Sequence, residues 1–291
     1  MKTLLISILF TLASYASYAQ GFYNSGLWRT KKVELTGGIG ASNFLGDLGG
    51  RDRVGSNFIW DLEWPKTRYV AHITYQYYLH EKFAIRPSFY FARVSGDDAL
   101  TQERYRNHRN LNFTSNLYEL SVTGEYQFIK EKIGNIYGVK TSTGKKLGLK
   151  AGGFGFYAVA GVGVVFYNPK AKGPNGANVA LRKLGTEGQG LPGGPKKYKP
   201  ATVVIPIGLG LRKSIGKDMG LKFELTHRFT FSDYIDDVST NYYDNSLIQA
   251  ANGNVAAYVA DPSFKNDGLN NTGHGLQRGD PTDKDNYMFF T

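Results

Sequence analysis

The stretch Asn107–Phe128, NHRNLNFTSNLYELSVTGEYQF, decides the fold because its side chains alternate without a break from Leu117 onward. One side is apolar apart from a single glycine: Tyr118, Leu120, Val122, Gly124, Tyr126 and Phe128. The opposite side carries two glutamates, Glu119 and Glu125. Successive side chains of an extended chain point to opposite faces, so the pattern predicts a strand with one apolar and one mainly polar face. Two glutamates on one face suit the wet or ion-paired interior of a barrel whose other face meets lipid.

The chain begins with the features of a secretory signal peptide. Lys2 precedes an apolar run from Leu4 to Ala13, and small residues up to Ala19 precede the expected cleavage point. The apolar run is shorter than the roughly 17–25 residues of a membrane-spanning helix. We therefore expect a signal peptide at residues 1–19 and an exported barrel at residues 20–291.

The composition narrows the class of protein. The 291 residues include 20 Tyr, 18 Phe and 36 Gly but no cysteine, which excludes lipoprotein acylation, disulfides and thiolate metal sites. A chain rich in tyrosine and glycine behind a signal peptide is typical of outer-membrane β-barrels, where aromatic residues mark both membrane interfaces. The net charge of +11 favours anionic outer-membrane lipid or an acidic protein as partner over nucleic acid.

Seven further segments alternate like the opening strand: 32–41, 68–79, 83–94, 154–167, 202–212, 221–231 and 286–291. Single-chain barrels have even strand numbers from about 8 upward. The sequence thus predicts an all-β fold, a small transmembrane antiparallel β-barrel of about eight strands with long extracellular loops. Pro87 lies inside the third segment and predicts an edge strand or a local distortion there. The last segment is short, which predicts a truncated last strand or an unusual closure.

Loop lengths predict the orientation of the barrel. With the N-terminus in the periplasm, the long connections after strands one, three, five and seven lie outside the cell. The connection after strand four, residues 129–153, is long where a tight turn is expected. It carries six lysines: Lys130, Lys132, Lys140, Lys145, Lys146 and Lys150. Two interpretations stay open, a solvated hairpin extension and a docking surface for a periplasmic partner.

The polar faces of the predicted strands carry charges of both signs: Glu34, Arg86, Glu119, Glu125, Lys222, Glu224 and Arg228. The lumen of a barrel of about eight strands is just filled by side chains, so we expect these groups to pair and plug the interior. A proton- or ion-conducting path is the functional alternative.

No catalytic constellation is recognisable. A pair of His227 and Ser232 on the outer wall would suit a lipid-modifying barrel, but the spacing THRFTFSD reproduces no hydrolase signature. An acidic run could bind Ca²⁺ through oxygen ligands or form a hydrogen-bonded rim: Asp233, Asp236, Asp237 and Asp244. We predict no enzymatic activity, no cofactor and no metal site.

Three motifs resemble the PorG-type outer-membrane proteins of Bacteroidetes: NFLGDLGG (43–50), RNHRNLNFTSNLYELSVTGEYQF (106–128) and TFSDYIDDVSTNYYD (230–244). These proteins belong to the type IX secretion system, which in some members also supports gliding motility. The resemblance implies a cell outer-membrane barrel that anchors the periplasmic ring of PorK and PorN and has no catalytic activity. The alternatives are a general small outer-membrane barrel, porin-like or lipid-handling, without a secretion role, and a soluble exported β-sandwich.

Overall fold

The computed structural model of the protein describes residues 32–48, 66–101, 103–129, 154–215, 219–263 and 269–291. The predicted signal peptide at residues 1–19 and the six lysines of the connection at residues 129–153 lie outside the described residues.

Within those residues the chain forms ten strands, three short α-helices and two 3-10 helices, Asp98–Leu100 and Leu181–Lys183. The strands are β1 (Val33–Leu45), β2 (Arg68–His80), β3 (Phe83–Asp97), β4 (Asn112–Ile129), β5 (Gly155–Phe166), β6 (Lys170–Lys172), β7 (Asn178–Ala180), β8 (Ala201–Ser214), β9 (Gly220–Thr230) and β10 (Asn286–Phe290). The α-helices are α1 (Arg104–Arg109), α2 (Asn245–Asn252) and α3 (Asn254–Ala260). None of the described helices is long and apolar enough to cross a membrane.

Eight of the strands form a closed antiparallel barrel, which confirms the predicted fold class. Their order is β1, β2, β3, β4, β5, β8, β9 and β10, and β10 pairs with β1 to close the sheet. The five residues of β10 form the seam, because Asn286–Phe290 pairs with the end of β1 and also with β9. Each barrel strand pairs antiparallel with the barrel strand that follows it along the chain, and β10 returns to β1.

Pro87 interrupts a ladder without displacing it. Proline has no backbone N–H, so it cannot donate to a neighbouring strand. Ser88 pairs with Thr74 of β2, and two residues beyond the proline Ile85 pairs with Tyr77 in the same register. On its other side β3 pairs with β4 continuously. An edge position for Pro87 is therefore wrong, because β3 lies inside the closed sheet. The expected local distortion is confirmed as a gap in the β2–β3 ladder at Arg86 and Pro87, and the register of that ladder shifts between Tyr78 and His80.

The two faces of the barrel wall differ as the alternation predicts. Inward side chains are buried and include the charged residues, whereas outward side chains are mostly apolar and exposed. The exposed set includes Tyr69, Ile73, Tyr75, Tyr77, Leu79, Tyr118, Leu120, Val122, Tyr126, Leu221, Phe223 and Phe229. The alternation thus places apolar side chains outside the barrel and charged side chains inside it. A soluble barrel with an apolar core has the opposite arrangement.

The four long connections fold together into a cap over one end of the barrel. Its buried apolar side chains belong to the same cluster as those of the upper barrel wall, with Leu48, Leu111, Leu181, Ile235 and Val259 contributed by the connections. A second, smaller cluster lies between α2 and α3. The sequence predicts residues 168–200 and 232–285 as loops throughout. That prediction is wrong for the β6–β7 hairpin and for α2 and α3.

Candidate functional site

The half of the barrel interior farther from the cap, called the lower half below, holds a buried cluster of charged side chains of both signs. The Lys222 Nζ lies 2.9 Å from Glu34 Oε1 and 3.8 Å from Glu125 Oε2. The Arg86 Nη1 lies 2.8 Å from Glu224 Oε2 and 3.3 Å from Glu125 Oε2. Each cation thus contacts two carboxylates, and Glu125 connects the two groups.

Arg212 completes this cluster and was missed as a site residue by the sequence reasoning. Its Nη2 lies 3.0 Å from Glu34 Oε2, and its guanidinium donates to the Tyr78 hydroxyl. Tyr78 in turn donates to Glu34 Oε2 at 2.9 Å. The alternation of β8 could have identified it, because Arg212 lies on the same inner face as Gly208 and Gly210.

The glycines of β8 make room for bulky inner side chains. A Cβ atom on Gly210 would lie 2.1 Å from the Cζ of Tyr157 on the neighbouring strand β5. The Tyr157 hydroxyl donates to Glu224 Oε2 at 3.1 Å. The missing side chain at Gly210 therefore lets an aromatic ring reach the charged cluster.

The upper half of the interior is filled by one arginine and its neighbours. The Arg228 Nε lies 3.1 Å from Glu119 Oε2, which also accepts a hydrogen bond of 2.7 Å from the Tyr287 hydroxyl. The guanidinium carbon lies 3.8 Å from the ring centroid of Phe289 and 4.7 Å from that of Tyr90. Stacking on aromatic rings is favourable for a desolvated guanidinium.

All seven charged residues proposed from the sequence lie on the inner wall; six of them are buried, Lys222 is partly buried, and the buried Arg212 is the eighth member of the set. Four carboxylates (Glu34, Glu119, Glu125 and Glu224) are matched by four cations (Arg86, Arg212, Lys222 and Arg228). Burying a charge is costly unless it is paired and hydrogen-bonded, and this balance meets that requirement. These ion pairs can stabilise the closed barrel, because every one except Arg86–Glu125 connects two strands that are not neighbours in the sheet.

Two arginines fasten the cap. The Arg109 Nε lies 2.7 Å from Asp98 Oδ2, and its two Nη atoms donate to the backbone carbonyls of Asp47 and Arg278 at 2.8 and 2.5 Å. The Arg278 Nη1 donates to Glu187 Oε1 at 2.9 Å and to the Asp237 carbonyl at 2.7 Å. Together the two side chains join all four long connections.

The acidic run serves several different partners in the cap. Asp236 accepts backbone hydrogen bonds from Leu48 at 3.0 Å and Val238 at 2.9 Å. Asp237 accepts from the hydroxyls of Thr186 and Tyr198, each at 2.5 Å. Of the remaining two, Asp233 accepts from the Ser239 hydroxyl, and Asp244 caps the N-terminus of α2. These contacts match the hydrogen-bonded rim, and no group of three or more His, Cys, Asp or Glu among the described residues is placed to hold a metal ion.

Burial shifts the proton equilibria of the carboxyl groups in the cap. Desolvation raises the pKa of Asp47 to about 7 and that of Asp233 to about 6. Desolvation, reinforced by neighbouring carboxylates, also raises the pKa of Asp236 and of Asp285 well above the ordinary value. The Asp285 carboxyl accepts a hydrogen bond from the Ile235 N–H at 2.7 Å. The cap thus stores carboxyl groups that hold protons more strongly than free aspartate does.

The two residues of the lipid-modifying alternative have other contacts. The Ser232 Oγ lies 2.8 Å from the Tyr167 hydroxyl. The His227 ring packs 4.3 Å from the ring of Phe229 on the outward face of β9. Neither contact resembles a nucleophile and its base.

The fold and its interior define a class: a small closed β-barrel with a filled, charge-balanced lumen and a packed cap. Residues 17–141 match a family model described as a domain of unknown function, DUF6089. The match covers less than half of the chain, so it marks a similarity of the first four strands to that family. A search among curated proteins found no match.

Proposed function

We propose that this chain is a structural outer-membrane component of the type IX protein secretion machinery, which anchors the periplasmic ring of PorK and PorN. The observation that carries the proposal is the closed barrel with an apolar outside and paired charges inside. That arrangement suits a protein surrounded by lipid. The three motifs that resemble the PorG-type proteins then favour the type IX secretion system among outer-membrane systems.

The outer face supports placement in a membrane. Soluble monomers rarely expose contiguous apolar patches larger than a few hundred Å². In this barrel Ile73 is 52% exposed, Leu120 58% and Val122 52%, although all three lie in the middle of the wall. Seven of the eight barrel strands are long enough to span a bilayer, since about 9–11 tilted residues suffice and the shortest of the seven, β9, has 11; β10 has 5.

The filled interior supports a structural role over transport. Arg228 and the aromatic rings around it lie in the upper lumen, and the charged cluster with Arg86 and Glu224 lies in the lower lumen. Narrow barrels of about eight strands are filled by side chains and leave no aqueous channel. This weighs against the porin-like alternative.

The three resembling motifs meet in the cap, although they lie far apart in the sequence. Leu48 of the first motif donates its N–H to Asp236 of the third at 3.0 Å. Arg109 of the second motif donates to the Asp47 carbonyl of the first at 2.8 Å. Residues that jointly form one packed unit favour a shared architecture with the PorG-type proteins over a chance similarity of separate segments.

The test is affinity capture of the full chain from detergent-solubilised outer membranes. We expect the PorK and PorN ring proteins to be recovered with it. A parallel variant, with the six lysines of residues 130–150 replaced by glutamine, asks whether that connection docks the ring. Capture of a folded, heat-modifiable barrel without ring proteins would overturn the secretion role, and it would leave the general outer-membrane barrel as the better interpretation.

A further inference from the structure

An outward-facing cavity of about 460 Å³ lies on the barrel wall where β4 passes from β5 to the β6–β7 hairpin. Below it, Tyr118 of β4 pairs with Phe166 of β5, and above it Thr114 pairs with Lys170 of β6. Between these two pairings the backbone ladder on this side of β4 is interrupted, and the Asn168 N–H donates to the Ser115 hydroxyl oxygen at 3.2 Å. The cavity is thus a separation between strands on the outside of the barrel, distinct from the filled lumen.

The lining of the cavity changes from aromatic to cationic along the barrel axis. The lower wall consists of Tyr118 and Phe166, and Tyr118 continues a row of rings through Phe91, whose centroid is 5.1 Å away. The upper wall carries Arg93 and Lys170. Aromatic rows of this kind mark the membrane–water interface of barrels, so the two cations lie just above the level of that row.

The two cations are available to a ligand. No carboxylate is among the described residues that line the cavity. Within the same part of the chain neither the Arg93 guanidinium nor the Lys170 ammonium has an ion-pair partner, and Asp97, four residues beyond Arg93, is paired with Lys66 at 2.9 Å. In register, Arg93 lies opposite Asn116 on β4, and Lys170 lies opposite Thr114. The two backbone positions are therefore about two strand spacings apart across the sheet and two residues apart along it, roughly 12 Å, and the long side chains can converge between them.

We propose that this cavity binds the phosphorylated headgroup of an outer-leaflet glycolipid. The phosphate lies between Arg93 and Lys170, the amide side chains of Asn116 and Asn178 contact the sugar, and an acyl chain follows Tyr118 and Phe166 down the wall. Arginine and lysine are the side chains that bind phosphate most strongly, and the volume lies within the range of about 300–1,000 Å³ usual for ligand sites. The inference depends on the membrane location in the proposed function but not on the secretion role.

Native mass spectrometry of the full chain in detergent tests the site. The probes are a lipid A that carries one phosphate, the same lipid without its phosphate, and inorganic phosphate. We expect one bound phosphorylated lipid and at least about tenfold weaker binding by the double variant Arg93→Gln/Lys170→Gln, which loses two charge-assisted contacts. The double variant Arg104→Gln/Lys183→Gln removes the same charges from exposed positions of the cap and should bind like the parent.

Several results would overturn the inference. Equal weakening in both double variants would show a general charge effect, and equal binding of the dephosphorylated lipid would remove the phosphate from the site. Equally strong binding of inorganic phosphate would replace the lipid by a free anion. If the first double variant does not fold, Lys170→Gln alone, at an exposed position of a three-residue strand, should still weaken binding. Heat-modifiable migration and flotation with liposomes test the membrane location separately, so a failed site and a failed location are distinguishable.

Discussion

Arg228 shows how much a single inner side chain contributes to this barrel. It is fully buried, lies 3.1 Å from Glu119 and stacks on Phe289. We expect Arg228→Ala to lower the free energy of unfolding by about 3–5 kcal/mol, because the substitution leaves the Glu119 carboxylate buried without its cation. Urea unfolding of the detergent-solubilised chain, followed by heat-modifiable migration, measures the loss.

The companion variant Arg228→Met/Glu119→Leu removes both charges and retains apolar volume. Its loss of stability should be smaller than that of Arg228→Ala, since replacing both partners of a buried ion pair is often close to neutral. A double variant less stable than Arg228→Ala would contradict this, and it would show that the hydrogen bond from the Tyr287 hydroxyl to Glu119 contributes more than the charge pairing.

Asp47 gives the cap a pH dependence of defined sign. Its pKa is raised from 3.8 to about 7, mainly by burial and then by neighbouring carboxylates including Asp233, against a lowering effect of Arg109. The folded state therefore holds a proton that the unfolded state loses above about pH 4. The contribution to stability is most favourable below that value and declines as the pH rises to 7.

Hydrogen exchange of the cap amides should accordingly be faster at pH 8 than at pH 5 after correction for intrinsic exchange. Asp47→Asn mimics the protonated carboxyl and keeps an oxygen to accept the Asp280 N–H, which is 2.8 Å from the Asp47 Oδ2. The variant should show a smaller pH effect than the parent. An unchanged pH effect would assign it to Asp236 and Asp285 instead.

The strands were predictable from sequence because period-two alternation needs only local information. The opening strand was predicted from Leu117, and the structure extends it back to Asn112. The cap was not predictable in the same way. α2, α3 and the strands of the β6–β7 hairpin have only three to eight residues each, and α3 depends for its contacts on partners such as Arg278, which donates to the Ala260 carbonyl.

The charges of the lumen lie between these two cases. Alternation placed Glu34 and Lys222 on inner faces, but their separation of 2.9 Å depends on the register of strands that are distant in sequence. Arg212 follows two glycines on the inner face of β8, so no neighbouring charge on that face indicated an ion pair.

The glycines of β8 provide a test at the level of the element. Gly210→Ala should destabilise the barrel by about 1–3 kcal/mol, because its Cβ would overlap the Tyr157 ring and displace the hydroxyl from Glu224. Gly37→Ala in β1 is the matched control, since no atom lies within 4 Å of its added Cβ. Midpoints of urea unfolding should fall for the first variant only. Equal midpoints would mean that Tyr157 moves without cost.

For the proposed outer-membrane location, the long connections predict that the cap end of the barrel faces the outside of the cell. The chain has no cysteine, so a single introduced thiol reports its own position. Ala250→Cys places the thiol on an exposed face of α2 in the cap, and Lys82→Cys places it in the tight turn between β2 and β3. An impermeant maleimide should label the first variant on intact cells and the second only after the outer membrane is opened. The reverse result would invert the barrel.

The short strand β10 also bears on how the molecule is made. Its Tyr287 hydroxyl donates a hydrogen bond to Glu119, its Phe289 ring packs against the Arg228 guanidinium, and the preceding Asp285 accepts a hydrogen bond from the Ile235 N–H of the cap. Until β10 lies between β1 and β9, the open sheet lacks the Tyr287 hydroxyl that binds Glu119 and the Phe289 ring that packs on Arg228. It also lacks the closed seam that brings Glu34 of β1 to Lys222 of β9. We therefore expect the barrel to close in a single late step. In that step β10 pairs with β1 and β9, the interior contacts are completed, and the cap packs on the barrel. A quality-control protease would accordingly encounter either an open precursor or the finished barrel.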